Sequence, residues 1–197
     1  NVLNNPAKII IHSNNNKKNS LIYSQVNSFI NLADNTFNLQ NSQSEIVLLN
    51  KNKVLNNASS DLIDVIEKSK VISELTNGAF DITVQPLWNF YYEHFIILGK
   101  QTSPSKEKLA SIKKTINWKN VHIKNNNITL KNNASITLNG IAQGWITDNI
   151  VNILRKNNIN NTLVDFGETF ASGNYQNERP WNILLKGPSN ANKVIKL

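Results

Sequence analysis

Residues 137–148 read TLNGIAQGWITD, which predicts a strand that passes through two glycines into a helix. At the start of a helix, the free backbone amides and the helix dipole favour an anion such as a pyrophosphate. Glycine also lets a ligand come close to the backbone. A tight strand-to-helix turn needs glycine as well, so this segment alone leaves a structural role and an anion site open.

A second segment, residues 76–88, reads TNGAFDITVQPLW. A helix is predicted to end at Gly78, and Asp81 follows an aromatic residue that is expected to be buried. A purely structural interpretation is a helix C-cap and an Asx-turn, with Pro86 opening a short helix. Both a structural and a functional role remain open for this segment alone.

The rest of the 197-residue chain mixes helices and short strands without regular alternation, which favours an α+β fold. Apolar spacing predicts helices at residues 20–33, 59–76, 103–114 and 142–156. Short strands are predicted at residues 7–12, 119–124, 127–131, 135–138, 161–166, 168–173 and 181–186. Residues 34–58 are expected to be irregular.

The helix at residues 59–76 has the clearest boundary signals. Ser59 or Ser60 is a candidate N-cap, and Asp61 favours the positive end of the helix dipole. Its predicted apolar stripe reaches Leu75. The aromatic residues between positions 88 and 92 are also expected mostly to be core.

Composition limits the classes of partner. The net charge is +8, but only Arg155 and Arg179 are arginines and the lysines are scattered. The richness in Asn, Lys and Ile is typical of an AT-rich coding sequence, so we expect no nucleic-acid partner.

The absence of Cys excludes disulfides and Cys-ligated metals. No apolar run approaches the length that spans a bilayer, and the absence of Met predicts a removed or missing native start.

Generic catalytic patterns are absent from the sequence. The histidines His12, His94 and His122 are far apart and lack the spacing of metal ligands. The chain has no nucleophile elbow, no P-loop and no GxGxxG segment. Its acidic residues form no obvious acid/base pair.

Together, however, the two segments resemble the ApbE family, the FAD:protein FMN transferases. Residues 78–87 (GAFDITVQPL) and 138–144 (LNGIAQG) with Asp148 are similar to its two characteristic segments in order and spacing. Three shorter matches accompany them: SEI at 44–46 with LN at 49–50, LVDFGE at 163–168 with Ala171 and Gly173, and PWNI at 180–183 with Pro188. The resemblance covers about residues 20–197.

Three departures from the family pattern bear on function. Gln143 stands where many relatives have Lys, and Thr137 stands where many have Asp. The family also continues beyond the last strand seen here, with an Asp and a Thr or Ala that complete its magnesium site. We therefore expect residues 1–197 to be the N-terminal and central part of a single domain, incomplete at the C-terminus.

The resemblance implies magnesium-dependent transfer of FMN from FAD to a Ser or Thr of a target protein, with release of AMP. The implied FAD contacts are Ala79, Phe80, Asp81, Thr137, Gln143 and Gly144, of which the last two face the phosphates. The implied Mg²⁺ ligand is the carbonyl of Gly140, and no catalytic residue is assigned. Asp148 is expected to cap or brace its helix. Glu168 is expected either to brace the flavin or acceptor side or to be a turn residue.

Two other functions stay open. One is an FAD-binding or FAD-hydrolysing protein with little transferase activity. The other is a non-catalytic domain that docks partners through its basic surface. The resemblance also implies a periplasmic or inner-membrane-associated location. One of the four aromatic residues at positions 88–92 could flank a flavin ring.

Overall fold

The structure, a computed structural model, describes residues 3, 6–13, 15–176, 178–185, 187 and 191–197. Within these residues the elements are β1 (Lys8–Ile11), α1 (Asn16–Phe37), α2 (Glu45–Asn52), β2 (Val54–Leu55), α3 (Ser60–Leu75), α4 (Gln85–Tyr92), α5 (Lys106–Lys113), β3 (Val121–Lys124), β4 (Asn127–Leu130), α6 (Ala142–Lys156), β5 (Thr162–Asp165), β6 (Thr169–Ser172), β7 (Asn182–Leu185) and β8 (Lys193–Lys196). Helices and small antiparallel sheets are mixed, which confirms the predicted α+β class. In this part of the chain no helix is long and apolar enough to cross a membrane.

The chain forms two compact units, residues 34–142 and residues 1–33 together with 143–197. The first contains a three-stranded antiparallel sheet in the order β2-β4-β3. Its buried side chains come from α2, α3 and the strands of this sheet, and also from residues between elements such as Ile82, Thr83, Ala134, Ile136 and Leu138.

The unit of residues 1–33 and 143–197 contains a three-stranded antiparallel sheet in the order β1-β5-β6 and the strand pair β7-β8. Helix α6 has the predicted bounds and buries Ile146, Ile150 and Leu154, as its spacing predicted. Strand β7 lies within the strand predicted at residues 181–186, whereas β8 was not predicted. Lys186 and the family-like Pro188 lie outside the described residues.

Helix α3 is confirmed, but its buried face differs from the predicted stripe. Ser59 is the N-cap, and its Oγ accepts a hydrogen bond from the Leu62 amide at 3.2 Å. Toward its C-terminal end the helix buries Ser69 and Ser73, whereas Leu75 is 78% exposed. The serines tolerate burial because each hydroxyl donates to the carbonyl four residues earlier, at 2.7 and 2.8 Å.

The expectation of irregular structure at residues 34–58 is wrong, because α2 lies there. Ser44 caps α2 by accepting from the Val47 amide at 3.4 Å, and Ile46 and Leu49 are fully buried. The helix ends at Lys53, which has a left-handed φ of 63°. A helix of eight residues spans little more than two turns, so its periodicity is weak in the sequence.

The strand predicted at residues 135–138 is also absent. The chain turns just before it through left-handed φ values at Asn132 (53°) and Asn133 (57°). The Ala134 carbonyl then binds the Lys53 side chain, and both backbone groups of Ile136 bind the Asn50 side chain instead of a neighbouring strand. Apolar alternation in the sequence cannot distinguish these two kinds of partner.

The aromatic residues between positions 88 and 92 are not core residues, contrary to expectation. Trp88 is 56% and Tyr92 43% exposed, and their rings stack with centroids 4.9 Å apart. They lie on α4, which Pro86 opens as predicted, and a π-helical turn (Glu93–Ile97) continues the helix. The rings are covered partly by one another along the helix surface rather than by the core.

Candidate functional site

The first family-like segment forms a tight turn after α3. Gly78 has a φ of +80°, a left-handed conformation that glycine adopts without strain, and its amide donates to the Ser73 carbonyl at 2.7 Å. The Ala79 amide then donates to the carbonyl of Thr76 at 3.0 Å, and the Phe80 amide donates to the Thr76 hydroxyl at 3.1 Å. The turn thus places Ala79 at the surface and leaves Phe80 half-buried.

Asp81 organises the residues that follow. Its Oδ1 accepts from the amide and the hydroxyl of Thr83, at 2.7 and 2.6 Å, and its Oδ2 accepts from the Trp118 amide at 2.9 Å. The Thr83 hydroxyl in turn accepts from the Asn117 amide at 2.8 Å. This is the predicted Asx-turn, and it commits the carboxylate to holding the loop. A ligand contact by Asp81 would add to these bonds.

The second family-like segment lies beside the first within the unit of residues 34–142. The Thr137 amide donates to the Ile82 carbonyl at 2.8 Å, and the Asn139 amide donates to the Thr137 hydroxyl at 3.3 Å. The Leu138 carbonyl accepts from the amides at positions 141 and 142, at 3.0 and 2.8 Å. The chain therefore turns sharply into α6, as the glycine pattern predicted.

Phe80 and Gly140, two of the predicted site residues, lie close together. A Cβ atom added to Gly140 would be 3.3 Å from Cε2 of the Phe80 ring. Real Cβ atoms rarely come so close, so glycine here relieves crowding against the ring. Gly140 itself is exposed, which leaves its backbone accessible.

A pocket of about 390 Å³ opens in the same unit. Its polar lining is rich in side-chain amides, and Trp88 adds an aromatic ring; the amides belong to Gln40, Asn50, Gln85, Asn89 and Asn139. None of the residues that line it is ionisable. Such a lining suits a neutral heteroaromatic ring that carries hydrogen-bonding groups.

Sequence reasoning missed Gln85 and Asn139 as site residues. Gln85 belongs to the first family-like segment and Asn139 to the second, so both segments contribute to one pocket. Their place inside the two segments was the available signal.

Gln143 and Gly144 lie in the first turn of α6, within the other unit. The Gln143 side chain packs on Gly167, and its Nε2 would lie 3.1 Å from a Cβ atom added to Gly167. The φ of +92° at Gly167 marks the turn between β5 and β6. The Phe166 amide closes this turn by donating to the Glu168 carbonyl at 3.2 Å. Glu168 is thus an exposed turn residue, one of the two roles expected for it.

Gly144 has no structural reason to be glycine. Its φ is not left-handed, and no atom lies within 4 Å of the position that a Cβ would occupy. A helical glycine costs stability relative to alanine, by about 0.5–1 kcal/mol. The space in front of Gly144 is open, and its role toward phosphates stays a prediction.

The described residues do not by themselves fit a magnesium site. They contain no group of three or more His, Cys, Asp or Glu side chains that could hold a metal ion. Mg²⁺ requires nearly octahedral oxygen coordination and usually one or two carboxylates. The Gly140 carbonyl supplies at most one oxygen, which is too few to hold Mg²⁺.

Comparisons with known proteins agree with the resemblance. The model of the ApbE family matches residues 6–197. A FAD:protein FMN transferase from Chlamydia pneumoniae is 28% identical over 173 residues, which cover 85% of this chain and 54% of that protein. One from Haemophilus influenzae is 27% identical over 158 residues, covering 74% and 44%. The chain thus spans about half the length of these relatives.

Solved structures agree on the fold. A mutant of the flavin transferase ApbE from Vibrio cholerae superposes with a TM-score of 0.83 at 19% identity, covering 100% of this chain and 68% of that one. The apo flavinyl transferase ApbE from Pseudomonas stutzeri gives 0.82 at 20% identity, covering 97% and 61%. At these identities the likeness concerns the fold alone.

Proposed function

The chain belongs to the ApbE family, and on that premise we propose that it binds FAD and transfers its FMN half to a Ser or Thr of an acceptor protein, with release of AMP. The observation that carries the proposal is the amide-lined pocket to which both family-like segments contribute. FAD contains two heteroaromatic ring systems with hydrogen-bonding edges, and the pocket suits one of them.

The proposed roles of the residues come from the resemblance, and the local geometry of each residue is compatible with its role. Ala79 and Phe80 border the ligand from a turn that is fixed by hydrogen bonds. Asp81 keeps this turn in place, and Thr137 pairs with it through Ile82. Gln143 and Gly144, in the first turn of α6, face the phosphates in this proposal, because amides at a helix N-terminus favour anions.

The proposed reaction is a displacement at phosphorus. The acceptor hydroxyl oxygen forms a bond to the FMN-side phosphorus, and the bond from that phosphorus to the bridging oxygen breaks. The bridging oxygen leaves with AMP, and the hydroxyl proton passes to solvent. A magnesium ion would supply neutralising charge at the pyrophosphate, and the resemblance implies the Gly140 carbonyl as its one ligand within the described residues. The requirement for Mg²⁺ rests on the resemblance and is part of the proposal.

The test is AMP release from FAD by this chain, with and without Mg²⁺, in the presence of an acceptor that carries a Thr. The proposal predicts magnesium-dependent AMP together with covalently flavinylated acceptor. AMP without modified acceptor would identify FAD hydrolysis instead. Neither AMP nor flavinylation, at FAD concentrations that saturate binding, would overturn transfer by this chain.

One observation favours the second candidate, an FAD-binding or FAD-hydrolysing protein with little transferase activity. The described residues lack the carboxylate cluster that usually holds a catalytic metal. FAD binding uses the pocket and the turns, which do not depend on such a cluster. Saturable FAD binding without AMP release would support the FAD-binding form of this alternative, and AMP release without flavinylated acceptor would support its FAD-hydrolysing form.

We further propose a periplasmic or inner-membrane-associated location. Its support is the family resemblance alone. Fractionation of cells that express the protein from its native gene tests the location. Recovery of the protein only with cytosolic markers would contradict it.

A further inference from the structure

Asn50 makes a pair of hydrogen bonds that resembles strand pairing. Its Nδ2 donates to the Ile136 carbonyl at 2.8 Å, and its Oδ1 accepts from the Ile136 amide at 2.7 Å. The two residues are 86 positions apart in the chain. One side chain thus satisfies both backbone groups of Ile136, as a neighbouring strand would.

Lys53 holds the two residues before Ile136. Its Nζ donates to the Ala134 carbonyl at 2.8 Å and to the Ser135 hydroxyl at 2.7 Å. Partial burial lowers the pKa of the Lys53 ammonium, which is a cost of keeping the group in this place. The backbone carbonyl of Lys53 accepts a hydrogen bond from the Leu130 amide at 2.8 Å, and this bond fixes the end of α2 to β4.

These bonds leave little freedom to the chain that leads into the second family-like segment. Residues 134–136 are held by Asn50 and Lys53, and the next residue, Thr137, is bound to Ile82. The position of Asn139 in the pocket and of Gly140 beside Phe80 depends on this path.

Helix propensity alone does not favour Asn50. Asparagine is a poor helix former, and Asn50 lies inside α2 rather than at a cap. Its contacts lie outside its own helix, on the segment that enters the candidate site. The motif LN at residues 49–50 was noted in the sequence without a role for the Asn.

We propose that Asn50, supported by Lys53, is a positioning residue for FAD binding: it fixes residues 134–136 so that Thr137, Asn139 and Gly140 face the ligand. This inference rests on the proposed FAD binding. Asn50 acts through the backbone of Ile136. Asn50 also lines the pocket, so Asn50→Ala removes a pocket amide as well as the pair with Ile136. Lys53 does not line the pocket, so Lys53→Met removes only the support of residues 134–135 and tests positioning alone.

The test compares Asn50→Ala with Asn52→Ala, because Asn52 is an exposed Asn on the same helix. A second pair compares Lys53→Met with Lys51→Met, since Lys51 is exposed in the last turn of α2. For each variant, FAD affinity is measured by flavin fluorescence well below its melting temperature. Amide hydrogen exchange at Ile136 and the visible circular dichroism of bound FAD are measured on the same samples.

Two lost hydrogen bonds of ordinary net strength predict FAD binding about tenfold weaker in Asn50→Ala, with a smaller loss in Lys53→Met. Exchange at Ile136 should be faster in Asn50→Ala, and the circular dichroism of bound FAD at saturation should differ from wild type. A change in that spectrum indicates an altered site, which global destabilisation alone does not produce. Asn52→Ala and Lys51→Met should match wild type.

Unchanged FAD affinity and an unchanged spectrum in Asn50→Ala, together with faster exchange at Ile136, would overturn the inference and leave the proposed FAD binding intact. Absence of saturable FAD binding to the wild-type chain would overturn both. If Asn50→Ala does not fold, Lys53→Met tests the inference instead, because it keeps the two hydrogen bonds between Asn50 and Ile136. Equal FAD affinity in Lys53→Met and Lys51→Met would then contradict the inference.

Discussion

Two neighbouring parts of the unit of residues 34–142 are ordered in opposite ways. The anchored turns, residues 79–83 and 134–140, are irregular, yet polar side chains such as Asp81 and Asn50 bind their backbone at 2.7–2.8 Å. The aromatic stretch, residues 88–98, is helical and rich in large apolar side chains. Most of these are exposed, including Ile96 at 65% and Ile97 at 59%.

The difference shows that apolar content and fixed position are separate properties. In the anchored turns, carboxylate, amide and ammonium groups with defined partners fix the backbone in addition to the burial of Ile82, Ile136 and Leu138. In the aromatic stretch, burial contributes little, so its side chains restrain the backbone less. A ligand site that needs exact geometry is therefore expected at the anchored turns.

The largest expected effect comes from removing the anchor Asp81. Asp81→Ala leaves the amides of Thr83 and Trp118 and the Thr83 hydroxyl without their acceptor. Lost hydrogen bonds to a charged group predict a decrease of about 3 kcal/mol in the free energy of unfolding. FAD binding should weaken strongly as the turn loosens. Denaturant unfolding and an FAD titration measure the two effects.

Two control variants test whether the anchored turns and the aromatic stretch differ in this way. Asp61→Ala removes a carboxylate on α3 and should leave FAD binding alone, with a stability change of about 1 kcal/mol or less. Ile96→Ser changes the exposed aromatic stretch and should alter stability by about 0.5 kcal/mol or less. An effect of Ile96→Ser on stability equal to that of Asp81→Ala would show that both parts are anchored alike.

Gly144 should separate stability from binding. Gly144→Ala is expected to raise the free energy of unfolding by about 0.5–1 kcal/mol, because alanine is the better helix former and no atom obstructs its Cβ. The same methyl group would occupy the space proposed for phosphate, so FAD binding should weaken several-fold.

The matched control for Gly144 is Asn152→Ala, which also places alanine at a poor helix former in α6, at an exposed position. It should stabilise the protein and leave FAD affinity unchanged. Equal FAD affinities in the two variants would remove Gly144 from the site.

The smallest expected effect is the pH dependence that Asp61 adds to the stability of the protein. Burial, with Asp64 and Glu45 nearby, raises the pKa of Asp61, so its charged form is disfavoured in the folded state. At pH values just above the ordinary aspartate pKa, Asp61 is therefore protonated more often in the folded protein than in the unfolded chain. The contribution of Asp61 to the free energy of unfolding falls as the pH rises through this range. Asp61→Asn should equal or exceed the wild-type melting temperature at about pH 7, with the difference vanishing near pH 3. A variant less stable than wild type at neutral pH would contradict this sign.

Long periodic elements could be predicted from the sequence, and short or side-chain-dependent ones could not. The helices α3 and α6 and the strand pair β3-β4 carry strong local patterns and were predicted. Helix α2 is too short for a clear period, and the path of residues 134–136 depends on Asn50, a partner 86 residues away from Ile136. No local rule reports such a pairing.

The same limit applies to the candidate site. The positions of Gly78 and Asp81 in a turn followed from helix-end and Asx-turn chemistry, which is local. The approach of Gly140 to Phe80 and the joining of Gln85 with Asn139 in one pocket are tertiary facts. The sequence could order the two segments along the chain, but their contact required the fold.

The most direct test of the account is to follow the backbone amide resonances of the isotope-labelled chain while FAD is added. The account predicts saturable shifts that are largest at residues 79–83 and 137–144, with small shifts in the aromatic stretch at residues 88–98 apart from the pocket residues Trp88 and Asn89. Shifts confined to the rest of the aromatic stretch, or no saturable shifts at all, would contradict the claim that the anchored turns form the FAD site.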